Sequence, residues 1–439
     1  MSQPRRCVVT ADRIWDGIES ISRPDRAVII RDGHIETVVD RATAPADLPW
    51  FEFGGCTVLP GLIDAHVHLA PWMLPTFLAA GVTTVRDLGN DLPSVLSWRK
   101  LVSEHPTFGP RIFCTGPLLD GSVAHWPLIG REHRTPAAIQ RSVAELASAG
   151  VDAVKLYAHL DGPRLAAAVD AAHRHGLTAV AHLGDATVAQ AATAGVDEIE
   201  HFSGCQAAWQ QSETADLAEL ASTLRSAEIA MCPTLVVWDR LGRPFDTALT
   251  RDRLLDWVPD DVRTTWRHNA YRYRGASARL DLQASVVNMK RCLDHVHGAG
   301  VPVLAGSDTP FPYLVPGFSL HDELALMVDA GLRAVDVLRS ATSVSAAALG
   351  AAGTVGALVE GAHADLLAVH GDPLADIAAI GQVAAVFKAG SRLSSAGLRR
   401  RSVRLHREQQ PAPIDRSLRE WADLARAATG TDWGRHGHG

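Results

Sequence analysis

One local pattern recurs through the middle of the chain and limits what it can fold into: an alanine-rich helical stretch, a glycine, and then a short run rich in β-branched residues. A glycine after a helix suits the left-handed position at the helix C-terminus, and an uninterrupted apolar run is typical of a strand buried on both faces. Helices that alternate with such strands predict parallel β-α-β units. The pattern occurs at residues 78–85, 146–154, 172–180, 191–199 and 296–304.

Together with less regular apolar runs, this pattern predicts eight strands that alternate with helices. Eight such units over roughly 250 residues are typical of an α/β fold of the (β/α)8 TIM barrel type. An open, doubly wound parallel sheet is the alternative. The predicted strands are 58–65, 82–87, 111–116, 151–156, 177–182, 196–201, 229–237 and 301–306.

The two ends of the chain differ from its middle. Residues 1–57 and 354–392 alternate apolar and polar side chains around turns, which is typical of antiparallel β-structure. Because these segments flank the predicted barrel, we expect them to pair into one small β-sandwich domain. The barrel itself is then expected to span residues 58–353.

Two further segments are predicted outside the regular pattern. Residues 238–295 form an insertion after the seventh strand, which is either a lid over the site or a peripheral helical insert; it contains Trp266, His268, Tyr271, Arg272 and Tyr273. Residues 393–439 form a tail with an amphipathic helix from about 417 to 428. The tail also has a basic cluster, a type of sequence that is usually a solvated face. The cluster consists of Arg399, Arg400, Arg401 and Arg404.

Composition excludes several classes of protein. A chain of 439 residues with 47% hydrophobic and 21% charged residues is neither disordered nor collagen-like nor a coiled coil. Its net charge of −7 argues against a nucleic-acid partner. No apolar run approaches the ~18 residues of a membrane span. Six widely spaced cysteines without a C-x-x-C motif indicate reduced thiols, so we expect a cytoplasmic protein without a membrane partner.

Polar side chains stand at the ends of several predicted strands, where the active sites of β/α barrels lie. His66 and His68 follow the first strand and are two residues apart, so both imidazoles point to the same side. The others are Lys155 on the fourth strand, His182 on the fifth, His201 on the sixth and Asp308 after the eighth.

Each of these residues alone has a structural explanation, such as a hydrogen-bonded histidine, an ion-paired lysine or an aspartate that caps a helix. Their coincidence at strand ends favours a metal centre. Imidazoles and carboxylates suit Zn²⁺, and also Mn²⁺, Fe²⁺ or Co²⁺. A protonated lysine is repelled by a dication, so Lys155 could act as a ligand only in its neutral form.

The set resembles the amidohydrolase superfamily, in its imidazolonepropionase-like and prolidase-like branch of Xaa-Pro dipeptidases and carboxypeptidases. The H-x-H after PGLIDA and the four later polar residues match its motifs one by one. GTVGALVEGAHADLLAVHGDPL is similar to the strands that complete the family's small domain, and LHDELALMVDAGLRAVDVLRSATSVSAAALG is similar to the helices after its eighth strand.

The resemblance implies that CO₂ carboxylates Lys155 and that the resulting carbamate bridges two divalent metals, most simply zinc. His66, His68, Asp308 and the carbamate are then implied for one metal, and the carbamate, His182 and His201 for the other. Two metals ~3.5–4 Å apart lower the pKa of a shared water from ~15.7 toward ~7. Asp308 is expected to be catalytic, accepting the proton of that water and passing it to the leaving nitrogen.

We therefore expect a binuclear metal-dependent amidohydrolase that uses metal-activated hydroxide to cleave an amide C–N bond in an N-acyl amino acid or dipeptide-like molecule. His125 and Tyr157 are the expected substrate contacts, and the expected partners are a small-molecule substrate and further copies of the chain in a homo-oligomer. The alternatives are a mononuclear cyclic amidohydrolase with unmodified Lys155, an esterase or lactonase that uses the same centre, and a non-catalytic metal-dependent binding protein.

Two departures from the family limit the substrate. His182 is followed by Leu183-Gly184-Asp185, without the glutamate that the deaminase branch has close to this histidine. The run LYAHLDG after Lys155 differs from the Ala-x-Gly-Gly run of some prolidase-like members. These differences count against a nucleobase deaminase and against a strict dipeptidase.

Overall fold

The computed structural model describes residues 5–205, 214–270, 276–409 and 411–420. Its strands are β1 (Arg6–Ile14), β2 (Arg26–Arg31), β3 (His34–Asp40), β4 (Trp50–Pro60), β5 (Leu62–Val67), β6 (Val82–Asp87), β7 (Arg111–Cys114), β8 (Leu118–Asp120), β9 (Gly130–Glu132), β10 (Ala153–Leu156), β11 (Thr178–Ala181), β12 (Glu198–Glu200), β13 (Ala230–Cys232), β14 (Leu366–His370), β15 (Val383–Lys388) and β16 (Ser391–Arg392).

The α-helices mostly lie between consecutive strands. They are α1 (Leu74–Ala79), α2 (Leu92–Glu104), α3 (Pro136–Ser148), α4 (Gly162–Arg174), α5 (Val188–Ala194), α6 (Thr214–Ser226), α7 (Leu235–Gly242), α8 (Thr247–Thr250), α9 (Asp260–Ala270), α10 (Ala276–Gly298), α11 (Phe318–Asp329), α12 (Ala334–Ser340), α13 (Ser343–Ala348) and α14 (Ser395–Glu408). Short 3₁₀ turns occur at Arg41–Thr43, Pro71–Met73, Pro106–Phe108, Arg253–Trp257 and Ile377–Gly381.

Strands from both chain ends share one seven-stranded sheet, in the order β16-β15-β14-β4-β1-β2-β3. The link between the ends is β14, which pairs antiparallel with β4, while β1 pairs parallel with β4. The expected pairing of the two ends is therefore seen within a single hydrogen-bonded sheet. This sheet has its own apolar cluster, in which Val9, Val58 and Phe387 are buried.

The predicted first barrel strand, 58–65, is divided in the structure. Residues 58–60 end β4 in the seven-stranded sheet, and β5 begins at Leu62. Gly61 lies between them, where a Cβ atom would stand 2.2 Å from Thr83 Oγ1, so only glycine fits this close approach.

The middle of the chain forms an α/β fold with parallel sheets. One sheet has six strands in the order β13-β12-β11-β10-β8-β9, and the other has β5-β6-β7. Isolated parallel bridges pair Val303 with Met231 on β13, and Thr309 with Val67 on β5. Residues 303–309 therefore hydrogen-bond to an edge strand of each parallel sheet.

The predicted seventh strand, 229–237, is shorter than expected. It ends at Cys232, and α7 begins at Leu235. The side chain of Glu323 accepts hydrogen bonds from the backbone N–H groups of Leu235 and Val236, at 2.9 and 2.7 Å. A carboxylate at this position satisfies N–H groups that have no partner within a helix, so a distant residue starts the helix inside an apolar run.

The described part of the tail packs against the parallel-sheet region. Helix α14 contacts α1, and the Ser402 hydroxyl donates to the carbonyl of Trp72 at 2.7 Å. The basic cluster lies on this helix, with Arg401 over the Phe108 ring at 4.3 Å and the other three arginines exposed. Residues 413–420 are helical; the rest of the predicted helix at 417–428 lies outside the described residues.

Tyr271, Arg272 and Tyr273 of the insertion lie outside the described residues, whereas Trp266 and His268 on α9 are buried. All six cysteines are buried and free. Among the described helices, none combines the length and the apolar character needed to cross a membrane.

Candidate metal centre

His66, His68 and Asp308 meet at one end of the parallel strands. His66 lies on β5 and His68 follows it, and Nε2 of each imidazole is close to Asp308 Oδ1, at 3.3 and 3.4 Å. The backbone fixes this arrangement, because the N–H of Asp308 donates to the carbonyl of His66 at 2.8 Å. Nitrogen and oxygen atoms of the three side chains lie within 4.8 Å of one another.

His182 and His201 bring two more imidazoles to this group. They directly follow the neighbouring strands β11 and β12. The ring centroids are 5.0 Å apart between His182 and His201, and 4.6 Å apart between His66 and His201. Nδ1 of His201 is 4.0 Å from Asp308 Oδ2.

Two of these residues have strained backbones. His201 has φ +61° and Asp308 has φ +57°, in the left-handed region that non-glycine residues seldom adopt. Such conformations cost about 1–3 kcal/mol each and cluster at functional sites. His201 directly follows Glu200, the last residue of β12. Its left-handed backbone turns the chain at this point, and the His201 side chain lies beside His66 and His182.

Lys155 on β10 completes the group. Its side chain is 1% exposed, and its Nζ has no hydrogen-bond partner among the described residues. His182 Nδ1 and Asp308 Oδ1 are also buried without a partner there. Buried polar atoms without partners are costly in folded proteins. A cluster of such nitrogen and oxygen donors fits divalent metal ions, with which these atoms bond.

Burial and neighbouring charges shift the pKa values of these groups. Burial lowers the pKa of the Lys155 ammonium, because its charged form loses solvation. Burial, together with the charge of Lys155, lowers the pKa of His182 to about 3. Burial alone would raise the pKa of Asp308, but His66 and His201 hold it well below its usual range. A neutral imidazole and an ionised carboxylate are the forms that bind metals.

Three of the imidazoles have a hydrogen-bond partner that holds the ring. Nδ1 of His66 donates to the Glu200 carboxylate at 2.5 Å, and Nδ1 of His68 donates to the carbonyl of Gly89 at 3.0 Å. Nδ1 of His201 is hydrogen-bonded to Thr234 Oγ1 at 2.5 Å. In His66 and His68 the Nδ1 atom is thus the hydrogen-bond donor, which leaves Nε2, the atom on the Asp308 side, as the one that could bind a metal.

Glu200 belongs to a buried charge network that is absent from the residues predicted from sequence. Arg86 on β6 binds the Glu198 carboxylate through both terminal nitrogens, lies 3.6 Å from Glu200, and donates from Nε to the carbonyl of Ala65. A signal for the network was available. Glu198 and Glu200 are two residues apart on a buried strand, so their side chains point to the same face. Arg86 lies within another buried apolar run. Because buried charges need partners, these residues could have been expected to pair.

A second carboxylate fixes the segment that carries Asp308. The N–H and the hydroxyl of Ser307 both donate to Asp64, at 2.9 and 2.6 Å. Burial raises the pKa of Asp64 to about 7, despite these hydrogen bonds. Asp64 therefore ties the end of residues 301–307 to β5, next to the histidines.

The polar group opens into a cavity of about 230 Å³. We call its candidate ligands the floor, which consists of His66, His68, Lys155, His182, His201 and Asp308. We call the apolar side chains that line the remainder the wall, which consists of Leu118, Trp126, Ile129, Ala158, Val237, Trp238, Leu241, Phe311 and Ile414. The sequence predictions did not include the wall.

His125 and Tyr157, the expected substrate contacts, also line the cavity. The Tyr157 hydroxyl accepts a hydrogen bond from Trp126 Nε1 at 3.0 Å, so its own proton is directed elsewhere. Its ring centroid is 4.8 Å from that of His182. The His125 ring lies 6.0 Å from the Tyr157 ring. Tyr157 therefore lies next to the floor residue His182 and the wall residue Trp126.

Comparison with known proteins gives a family match. The profile of the amidohydrolase family matches residues 57–393. Comparison with curated protein sequences gives no match.

Solved structures share the fold. The bottromycin amidohydrolase AH is 25% identical, with a TM-score of 0.73, over 94% of this chain and 92% of its own. A Xaa-Pro dipeptidase with bound methionine is 20% identical, with a TM-score of 0.71, over 89% of this chain and 100% of its own. An A. niger ochratoxinase is 18% identical, with a TM-score of 0.69, over 88% of this chain and 95% of its own.

Proposed function

Because the chain belongs to the amidohydrolase family and is a hydrolase that acts on carbon–nitrogen bonds, we propose that it cleaves an amide bond with a binuclear metal centre on the floor of the cavity. The amidohydrolase family that the motifs predict is confirmed by the family match over residues 57–393. The fold shared with a Xaa-Pro dipeptidase supports the proposed prolidase-like branch. An N-acyl amino acid or a dipeptide-like molecule is the proposed substrate, in keeping with structural relatives that include a Xaa-Pro dipeptidase and the bottromycin amidohydrolase AH.

The proposal assigns the floor residues to two metals, with a carboxylated Lys155 between them. Bound divalent metals would supply a water of lowered pKa and polarise the acyl oxygen. His66, His68 and Asp308 would hold one metal. His182 and His201 would hold the other, and the carboxylated Lys155 would contribute to both.

The observation that carries the binuclear proposal is the buried Lys155 amine. Its Nζ has no hydrogen-bond partner among the described residues, and burial lowers its pKa. A neutral amine can add to CO₂: an N–C bond forms, a proton leaves to water, and an anionic carbamate remains. The carbamate has two oxygens where the amine has one nitrogen, so it can serve two metals as a carboxylate does.

Asp308 is the proposed proton carrier. Its carboxyl group is ionised, and its Oδ1 atom has no hydrogen-bond donor among the described residues. An ionised carboxylate beside the reacting atoms can accept a proton from the attacking water and return it to the leaving nitrogen. The Tyr157 hydroxyl, which accepts from Trp126, can donate its proton to an oxygen of the substrate.

Metal analysis combined with a Lys155→Met substitution tests the proposal. Lys155→Met preserves length but cannot form a carbamate, so we expect about two metals per chain in the wild type, about one in the variant, and loss of most amidase activity. Bicarbonate should not restore either. Lys100→Met, at an exposed lysine that pairs with Glu104, is the matched control and should resemble the wild type.

The outcomes separate the candidate functions. A fully active enzyme with one metal and an unmodified Lys155 would contradict the binuclear proposal and favour a mononuclear hydrolase of cyclic amides. Hydrolysis of esters or lactones in preference to amides would identify an esterase or lactonase. Well under one metal per active chain would contradict metal-dependent hydrolysis altogether.

We also propose a barrel architecture, a metal, a cellular location and an oligomeric state. Residues 301–306 are proposed as the eighth strand of a closed barrel, since bridges at Val303 and Thr309 reach the edge strands of both parallel sheets. The seven-stranded sheet formed by strands from both chain ends is proposed to belong to the family's small β-sandwich domain. Zinc, a cytoplasmic location and a homo-oligomeric state complete the proposal.

A further inference from the structure

One residue of the wall comes from outside the family match. The match ends at residue 393, and Ile414 lies in the tail beyond it. Ile414 nevertheless lines the cavity together with Trp238 and Phe311. It is 1% exposed. A part of the chain outside the family match therefore contributes to the proposed substrate cavity.

The insertion anchors this part of the tail. Asn269 on α9 is buried and donates to the carbonyl of Leu418 at 3.0 Å. Asp261, on the same helix, pairs with Arg419 at 2.5 Å and with His406 Nε2 at 2.8 Å. Leu418 is itself part of the main apolar core. Ile414 thus lies between anchored residues, with His406 before it in the sequence and Leu418 and Arg419 after it.

The same helix also fixes the neighbouring stretch of the wall. Trp266 on α9 is fully buried and donates from Nε1 to the carbonyl of Pro310 at 2.9 Å. Pro310 directly precedes Phe311, which lines the cavity. The insertion therefore supports two wall residues from segments that are distant in sequence, Phe311 and Ile414.

The wall has no cation for a charged substrate group. Among the described residues that line the cavity, Lys155 on the floor is the one lysine, and there is no arginine. A carboxylate placed against the wall would lose its hydration without gaining an ion pair, which is unfavourable. An apolar group there would gain from the burial of its surface.

We propose that Ile414, with Trp238 and Phe311, makes the enzyme select an uncharged apolar group attached to the scissile amide. This inference rests on the proposed amide hydrolysis, and it replaces the free N-acyl amino acids of the proposed substrate class with uncharged amides. It favours N-acyl amines and peptide-like amides without a free carboxylate beside the cleaved bond over free N-acyl amino acids.

A matched substrate pair tests the selectivity. N-benzoyl-leucine and N-benzoyl-3-methylbutylamine have the same skeleton and differ only in the carboxylate. We expect kcat/KM to be at least tenfold higher for the uncharged amide. Equal or higher kcat/KM for N-benzoyl-leucine would overturn the inference while leaving amide hydrolysis in place.

Substitution of Ile414 tests the role of the tail. Ile414→Ala should lower kcat/KM for N-benzoyl-3-methylbutylamine about tenfold, mainly through KM, because it removes apolar contact from the pocket. Ile414→Lys should shift preference toward N-benzoyl-leucine. Arg416→Ala, at an exposed position of the same segment, is the control and should behave as the wild type. An unchanged substrate preference in both Ile414 variants would overturn the inference.

Binding measurements keep this test separate from catalysis. Calorimetry on the metal-free wild type should show a lower Kd for the uncharged amide than for N-benzoyl-leucine, and Ile414→Ala should reduce that difference. If the metal-loaded enzyme hydrolyses no amide, the proposed function fails. If calorimetry finds no preference for the uncharged compound, the inference fails instead. Thermal unfolding of each variant shows whether it is folded.

Discussion

The floor and the wall of the cavity are built in different ways. Floor residues lie on or directly after strands of the two parallel sheets, except Asp308, which lies in the segment that bridges to both sheets. Hydrogen bonds such as those of Glu200 and Thr234 hold the rings of His66 and His201. Wall residues come from β8, from the loops after β8 and β10, from α7, from the loop at Phe311 and from the tail at Ile414, and the insertion supports the last two. Backbone topology therefore positions the chemistry, whereas peripheral segments shape the space around it. We expect changes in the floor to abolish activity and changes in the wall to alter selectivity.

The largest effect is expected at Asp308. Asp308→Asn keeps the shape and one oxygen but removes the proposed base, so kcat should fall by about 10²–10⁴-fold, the usual effect of losing a general base. Steady-state kinetics on an amide substrate measures this, and metal analysis of the same sample shows whether the ligand set is still occupied.

A surface change provides the comparison for Asp308→Asn. Asp40→Asn, at an exposed aspartate that pairs with Arg26, should leave kcat unchanged. Near-normal turnover in Asp308→Asn would assign proton transfer to another group and weaken the distinction between floor and wall.

The floor could be predicted from sequence because it follows the strands. A polar residue at the end of each of several buried apolar runs is conspicuous, and parallel strands bring their ends together. The family, the enzyme class and the parallel α/β fold that follow from these residues are confirmed. The closed barrel and the sandwich domain remain predictions.

Other features depend on contacts that no local pattern records. The start of α7 inside a predicted strand depends on Glu323, a residue about 90 positions away. His201 reaches the floor through a left-handed backbone rather than through strand alternation. The wall residue Ile414 lies in a tail for which the sequence predicts a basic cluster and an amphipathic helix but no contact with the site. Its anchors, Asn269 and Asp261, are far away in the sequence.

A smaller effect is expected at Glu200, which orients His66 without lining the cavity. Glu200→Gln keeps an oxygen that accepts the hydrogen bond from Nδ1 but removes the negative charge, so the bond that orients the ring becomes weaker. Metal affinity should fall by about 10–100-fold, the usual result of changing such a partner. Competition with a chelator of known affinity measures the Kd directly, independently of turnover.

The control for this variant is Glu19→Gln, which changes a surface carboxylate that pairs with Arg23. It should bind metal as the wild type does. Unchanged metal affinity in Glu200→Gln would mean that the strand alone positions His66, and the floor would then depend less on hydrogen bonds than we infer.

The smallest effect concerns the support of the wall, at Asp415 beside Ile414. Asp415 is 6% exposed, and its Oδ1 atom has no hydrogen-bond partner among the described residues. Burial raises its pKa to about 6, with Arg419 opposing the shift. Because the pKa is higher in the folded than in the unfolded state, the stability linked to this group is present below about pH 4 and is lost as pH rises through 6.

Asp415→Asn should therefore leave stability unchanged near pH 4 and raise it at pH 8, by about 2–3 kcal/mol for a pKa shift of about two units. Urea unfolding of variant and wild type at both pH values measures the difference, and Asp47→Asn, at an exposed aspartate, should show none. Since Asp415 supports the wall and touches no floor residue, kcat should not change. A variant that is less stable than the wild type at pH 8 would show that the charged carboxylate holds the tail in place. A variant with reduced kcat would show that the tail acts on the floor as well as on the wall.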